Sequence, residues 1–218
     1  AQALGADETA AALQVAAAAK GTSITLTRVG SRGMVWLEPL VEVEDASGQR
    51  IAYGPVTAGD VPGLVQAGVF DTASHPLRLG RVEDMPWFPK QQRLTVARVG
   101  VIDPVSVDDY VAHGGFAGLK RALGMSGAEI VQEVLESGLR GRGGAAFPTG
   151  IKWRTVLEQH SLQKYVVCNA DEGDSGTFSD RMLMEGDPLC LIEGMLIAGL
   201  AVGATRGYIY LRCEYPHA

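Results

Sequence analysis

Ser137-Gly-Leu-Arg-Gly-Arg-Gly-Gly-Ala-Ala-Phe-Pro-Thr-Gly-Ile-Lys-Trp153 is the stretch on which the reading of this chain turns. Five glycines and a proline fall within seventeen residues, with two arginines, one lysine and two aromatics. Backbone that carries glycine can lie close to a ligand because no Cβ intervenes, and it reaches positive φ without steric penalty. Successive free N–H groups in such a loop form an anion-binding concavity. Arg140, Arg142 and Lys152 can add charge, and Phe147 and Trp153 offer flat surfaces to a ring. The plainer reading is a glycine-rich connection whose basic residues face solvent. Ligand sites concentrate on loops of this kind, which favours the ligand reading.

Two phosphate motifs can be tested on it. Gly141-Arg-Gly143-Gly-Ala-Ala146 satisfies the G-x-G-x-x-G/A dinucleotide pattern, but that pattern must leave a strand and open a helix. Here the preceding residues read as a helix. Ser126 and Glu129 make a capping box, Ile130, Val131, Val134 and Leu135 give the apolar face, and Gly138 is the stop. A Walker A loop needs G-x-x-x-x-G-K-[ST]; Gly144 to Gly150 has five intervening residues, and Ile151 and Trp153 stand in the wrong places.

Downstream, Lys152 to Glu158 begins a helix and Lys164 to Cys168 reads as a buried strand. The acidic loop Asn169 to Asp180 leaves its carboxyl end. Asp187-Pro188 opens a helix by the N-cap and N1 rule, apolar on nearly all sides and so expected to be deeply buried. Gly207 to Arg212 is the next strand. Strand, crossover helix and strand imply a parallel unit, and ligands bind outside the carboxyl ends of such strands. A calcium reading of the acidic loop fails, since Gly173 and Ser175 occupy positions three and five and no Glu stands at twelve. The remaining readings are a solvated turn with helix-capping acids, or carboxylates and Asn169 that accept hydrogen bonds from sugar or ribityl hydroxyls.

Upstream, Asp7 caps a helix through Lys20 with Gly21 as its stop. Ser23 to Val29 reads as a strand. Val35 to Glu44 and Gln49 to Tyr53 read as a hairpin turning at Ala46-Ser-Gly48, and Asp60 to Gln66 as a short helix. Residues 1–70 thus form a small α+β unit. Residues 71–104 form a poorly periodic, proline-bearing linker with one edge strand over Arg93 to Val101, and 105–218 the α/β domain. Ser106 caps a helix in the latter, followed by another over Phe116 to Leu123.

A net charge of −6 over 218 residues argues against a nucleic-acid groove and against an anionic membrane surface. Cys168, Cys190 and Cys213 are odd in number and widely spaced, so neither a disulfide framework nor a complete metal site is expected, and each reads as a small buried hydrophobe. Alanine-rich Ala1 to Ala19 carries Asp7 and Glu8 and lacks a basic n-region, so no signal peptide is read. Leu189 to Ala204 is interrupted by Glu193 and three glycines, and is shorter than the roughly 20 residues a membrane span needs. No membrane insertion and a cytoplasmic location are expected, and the segment reads as part of a longer gene product.

Gly138 to Trp153, followed by Val167-Cys-Asn-Ala-Asp-Glu-Gly-Asp-Ser-Gly-Thr-Phe-Ser-Asp-Arg181, resembles the two flavin loops of the NADH-binding, FMN-containing flavoprotein (51 kDa-type) subunits of respiratory complex I. Diaphorase subunits of NAD-reducing hydrogenases and NAD-dependent formate dehydrogenases belong to the same relatives. The resemblance implies an N-terminal thioredoxin-like α+β domain followed by a truncated Rossmann-like parallel α/β domain binding FMN and NADH. By position, Gly141, Arg142, Gly143, Gly144, Ala145 and Lys152 match the flavin loop. Asn169, Asp171, Glu172 and Gly173 match the ribityl and phosphate contacts. Phe147 matches an aromatic that stacks on NAD, and Asp174 an acid near its ribose. Departures are Ala146 for the usual glycine, Asp174 for the more common glutamate, and Thr155 where a second adenine-stacking phenylalanine often stands.

In cluster-binding relatives the loop before the hairpin reads Gly-Cys-Arg-Gly-Leu-Cys. Here it is Gly30-Ser-Arg-Gly-Met-Val35, then Trp36-Leu-Glu-Pro-Leu-Val41. Such clusters need thiolates, so no [2Fe-2S] site is expected in this domain. That departure is similar to the β subunit of NAD-dependent molybdenum formate dehydrogenase. The implied function is hydride exchange between NAD(H) and FMN. Electrons would then pass singly through iron–sulfur clusters, including a [4Fe-4S] cluster expected in the missing C-terminal part. The implied partners are a molybdenum-containing subunit that oxidises formate and a [2Fe-2S] subunit. Alternatives are the diaphorase of an NAD-reducing hydrogenase or of NADH-quinone oxidoreductase, and a non-catalytic assembly scaffold. His75, His113, His160 and His217 read as surface or packing residues, because hydride transfer between the two cofactors needs no general acid or base.

Overall fold

The computed structural model describes residues 1–174 and 176–218, in two units, Ala1–Ala97 and Arg98–Ala218. Ser175, position five of the rejected calcium loop, lies outside the described residues.

In the first unit, α1 (Ala6–Lys20) is built largely of alanine, the best helix former. Asp7 and Glu8 in its first turn and Lys20 in its last complement the helix dipole. Gly5 occupies the N-cap in place of the expected Asp7, and Gly21 closes the helix at φ 68°. Thr9, Leu13 and Ala17 form its buried stripe, and Thr9 Oγ1 donates to the Val56 carbonyl at 2.9 Å. The strand expected over 23–29 is not formed. The alternation is there, but among the described residues no strand pairs with this segment, and β1 (Val41–Glu44) pairs with β2 (Arg50–Tyr53).

The hairpin forms where expected. Asp45 Oδ1 accepts from the Ser47 and Gln49 amides at 2.8 and 3.0 Å, and Gly48 takes φ 80°. The strand read from Val35 begins only at Val41. Val35–Leu37 is instead a 3-10 turn and Pro39, which cannot donate to a ladder, follows. A short helix α2 (Val61–Ala67) packs on the hairpin, and Tyr53, Val56, Val61, Leu64 and Val69 are fully buried in one cluster. Burial of each such side chain contributes about 1.5–3 kcal/mol. The sheet's third strand, β3 (Arg78–Arg81), lies inside the stretch read as linker; no strand forms over Arg93 to Val101.

The second unit contains α3 (Val107–Ala112), α4 (Ala117–Ala122), α5 (Gly127–Glu136), α6 (Thr149–Leu157), β4 (Tyr165–Ala170), α7 (Ser179–Gly186), α8 (Pro188–Val202) and β5 (Arg206–Leu211). β4 and β5 run parallel, with Val167 opposite Tyr208 and Ala170 opposite Leu211. Mixed α/β architecture with a parallel pair in the second unit is the fold class read from the sequence.

Three caps appear as read. Ser106 accepts from the Asp109 amide at 3.1 Å. Ser126 and Glu129 form a reciprocal capping box. Asp187 accepts from the Cys190 amide at 3.3 Å at the start of α8. The expectation for α8 needs correction: Ala198, Ala201 and Val202 are buried, but Ile192, Leu196 and Leu200 are exposed, because α4, α5, α6 and β4 cover only part of its circumference. The cysteine expectation also changes, since Cys168 and Cys190 are half-buried and Cys213 is exposed. No helix among the described residues is long and apolar enough to cross a membrane.

Candidate functional site

The glycine loop is tied at its neck and open at its tip. The Gly141 amide donates to the Phe147 carbonyl at 2.8 Å and the Thr149 amide to the Leu139 carbonyl at 2.9 Å, which pairs Arg140 with Pro148. Two arginine side chains strengthen this closure. Arg140 donates to the Ala146 carbonyl at 3.1 Å and Arg142 to the Arg140 carbonyl at 2.6 Å. Both cations therefore work partly as loop braces.

At the tip, Gly144 has φ 96° and Ala146, a non-glycine residue, has φ 48°. A Cβ placed on Gly143 or Gly144 would meet nothing within 4 Å. Space for a ligand therefore lies against bare backbone. Ala145 is exposed beside them. Lys152, in the first turns of α6, has no carboxylate partner among the described residues, and its Nζ lies 5.9 Å from the centre of the half-exposed Phe147 ring. Loop and cation meet at a helix N-terminus, where backbone N–H groups and the helix dipole favour an anion.

The loop is also placed by helix packing. Gly127, at the start of α5, touches the Ala201 carbonyl in the last turn of α8, and Leu135, near the end of α5, touches Gly150 in the first turn of α6. A Cβ on Gly150 would sit 2.6 Å from the Leu135 Cα, so this glycine serves helix packing and not ligand approach. Trp153 and Leu157 pack with Ala201 and Val202, and Lys164 Nζ donates to the Leu157 carbonyl at 3.0 Å. The C-terminal end of α6 is thereby held at the N-terminal edge of the strands. The glycine loop lies at the other end of the helix, about 14 Å away by the 1.5 Å rise.

The acidic loop leaves the opposite, carboxyl end of β4. Asn169 and Asp171 are exposed, and the Asn169 side-chain oxygen accepts the Asp171 amide at 3.1 Å in a tight turn. Gly173 and Asp174 are exposed as well, and the Asp174 carbonyl accepts from the Thr177 hydroxyl at 3.1 Å. Among the described residues the carboxylates of Asp171 and Asp174 are unpaired and available to a ligand's hydroxyls.

Glu172 is different. It sits at φ 41°, in the left-handed region, and its carboxylate is fully engaged by the protein. One oxygen accepts from the Ser179 hydroxyl at 3.2 Å and the Asp180 amide at 2.9 Å, which caps α7. The other accepts from the Arg181 amide at 3.2 Å and the Tyr215 hydroxyl at 2.8 Å. Burial pushes the Glu172 carboxyl up, but the Asp180 amide, the Tyr215 hydroxyl, the Arg181 amide and the Ser179 hydroxyl together outweigh it and hold the pKa below the usual glutamate value. The Glu172 carbonyl accepts a hydrogen bond from Arg212. Sequence reasoning did not single out Arg212 or Tyr215. Their one signal was position, at and just past the carboxyl end of β5.

A second, part-buried network lies in the same unit. Arg98 Nε donates to Asp187 at 2.8 Å, and its guanidinium lies 4.6 Å from the Tyr110 ring centre. Tyr110 donates to Glu193, which also accepts the Phe116 and Leu119 amides at 2.8 and 2.9 Å and so fixes the start of α4. No group of three or more metal-ligating side chains stands together among the described residues. In the first unit, Ser31 donates to Glu38 and accepts the Gly33 amide at 3.0 Å, while Val35 is exposed.

Residues 134–218 match the family model described as the Nuo51 FMN-binding domain. The chain is 56% identical over 129 residues to the HndC subunit of the NADP-reducing hydrogenase of Solidesulfovibrio fructosivorans, covering 59% of this chain and 26% of that protein. It is 51% identical over 111 residues to an NADH-quinone oxidoreductase subunit of Aquifex aeolicus (strain VF5), covering 51% of this chain and 26% of that protein. Among solved structures, an NAD+-reducing [NiFe]-hydrogenase in the air-oxidized state matches 95% of this chain and 35% of that chain at 25% identity, with a TM-score of 0.47. The chain spans about a quarter of the length of these two curated relatives. Over residues 134–218 the chain is similar to the FMN-binding domain of 51 kDa-type NADH-binding flavoprotein subunits.

Proposed function

We propose that this chain supplies half of a diaphorase site, in which the full protein exchanges a hydride between NAD(H) and FMN. The observation that carries the reading is the open glycine tip at 143–144 beside an uncommitted Lys152, at a helix N-terminus, in a segment matching an FMN-binding domain. When bound, FMN supplies two-electron chemistry toward nicotinamide and one-electron chemistry toward iron–sulfur clusters. The chain's residues bind and orient it. Backbone amides of Gly143, Gly144 and Ala145 approach the ligand, with Lys152 and Arg142 near its negative charge, while Gly141 gives its amide to the Phe147 carbonyl and holds the loop closed behind them. Asn169 and the carboxylate of Asp171 accept from the ribityl hydroxyls beside Gly173. Phe147, exposed and close to Lys152, offers its face to the dinucleotide, and Asp174 its carboxylate to a ribose.

Two observations bear on the complex in which this operates. The two curated relatives are subunits of a hydrogenase and of an NADH-quinone oxidoreductase, which supports partners of those kinds. Ser31-Arg-Gly-Met-Val-Trp-Leu-Glu-Pro-Leu40 supports a molybdenum formate dehydrogenase, with a [2Fe-2S] subunit beside it and a [4Fe-4S] cluster in the remainder of the protein. A cytoplasmic location fits either. The test is anaerobic addition of NADH to the purified full-length protein. Bleaching of the oxidised flavin absorbance supports the reading. A protein without flavin, or one that NADH leaves oxidised, refutes it and favours the scaffold. Electron delivery from formate, compared with hydrogen, in the purified complex decides the partner.

A further inference from the structure

We infer that Tyr215 and Arg212 are positioning residues of the flavin site, and that Glu172 serves as the keystone they hold and not as a ligand of the polyol. The inference rests on the proposed contact between residues 169–174 and the flavin.

A carboxylate has about four lone-pair positions, and Glu172 spends all of them on donors of its own chain. Its backbone is held in the left-handed region, which a non-glycine residue adopts only when its surroundings over-determine it. The surroundings here are explicit. Tyr215 is 5% exposed and fixes one carboxylate oxygen. Arg212 binds the carbonyl of the same residue, pairs with Glu214 at 2.9 Å, and lies 5.1 Å from the Tyr215 ring centre. Arg181 covers the same ring at 5.5 Å. The brace therefore grips Glu172 by both side chain and main chain. Its anchor is the carboxyl end of β5, the strand paired with the one from which the acidic loop leaves.

The peptide orientation at 172–173 follows from that grip. Asn169, Asp171 and Gly173, the residues on either side, are exposed. Tyr215 thus orients ligand-facing groups it does not itself touch.

The test is reconstitution of deflavinated full-length protein with FMN, followed by flavin fluorescence, for the wild type, Tyr215→Phe, Glu172→Gln and the double variant. Tyr215→Phe keeps the buried ring and removes one hydrogen bond to a charged acceptor, and is expected to weaken FMN binding about tenfold. Glu172→Gln is expected to do the same, and the double variant to be scarcely weaker than either single one, because both break one brace. The thermal midpoint is recorded in parallel. If Tyr215→Phe lowers that midpoint without moving the FMN dissociation constant, or if the two losses multiply, the inference fails. If the wild-type protein itself does not take up FMN, the underlying functional reading fails instead.

Discussion

Gly143 and Gly150 stand in one short segment and do opposite things. Nothing lies within 4 Å of a Cβ built on Gly143, whereas one built on Gly150 collides with the backbone of Leu135 at 2.6 Å. Gly143→Ala is therefore expected to leave the thermal midpoint of the full-length protein unchanged while weakening FMN binding, measured by fluorescence titration. Gly150→Ala is expected to cost about 2–3 kcal/mol by forcing α5 and α6 apart, measured by urea unfolding. Composition gave both glycines the same meaning. Only the packing partner of Gly150 separates them, and a partner helix is not written in local sequence.

At the scale of elements, hydrogen-bonded carboxylates set the pH response. Glu172 caps α7 and Glu193 caps α4. Burial pushes both upward, yet their hydrogen bonds prevail and both have pKa values lowered from 4.5. A depressed folded-state pKa gives stability that is fully present above the unfolded value and is lost as pH falls through the folded one. The urea midpoint is therefore expected to fall below about pH 4.5, and Glu172→Gln to flatten that fall. Glu193→Ala leaves the Phe116 and Leu119 amides and the Tyr110 hydroxyl without their acceptor, with an expected loss of roughly 3 kcal/mol at neutral pH. The caps at Ser106, Ser126 and Asp187 could be read directly, since donor, acceptor and spacing are local. β3 could not. It is four residues long, pairs through a register shift between Ala52 and Tyr53 and carries Gly80 at φ 83°, so no alternation marks it. The reverse error at 23–29 has the same root, because alternation predicts a face without supplying a partner strand. The brace on Glu172 was hidden likewise, since Tyr215 and Glu172 are 43 residues apart.

At the scale of the whole molecule, the parallel pair β4–β5 of the second unit has one face against α8, where Gly207 meets the Met195 side chain, and among the described residues of that unit nothing is packed on the other. Tyr165, Val167, Tyr208 and Tyr210 are exposed, with the Tyr165 and Tyr208 rings 5.9 Å apart. Parallel sheets ordinarily bury both faces, and exposed apolar surface of this kind drives association. The 218-residue chain produced by itself is expected to elute as oligomers in size-exclusion chromatography; a clean monomer would contradict that. The two motifs that carry the family resemblance lie wholly within the second unit. The first unit, without a thiolate at position 31 or 35, holds the stretch on which the formate dehydrogenase proposal rests.

The central claim is that residues 141–146 and 169–174 close on one flavin. Hydrogen–deuterium exchange on the deflavinated full-length protein, with and without FMN, tests it directly. FMN is expected to slow exchange in both segments together. Protection of only one of them, or of neither, would contradict the claim.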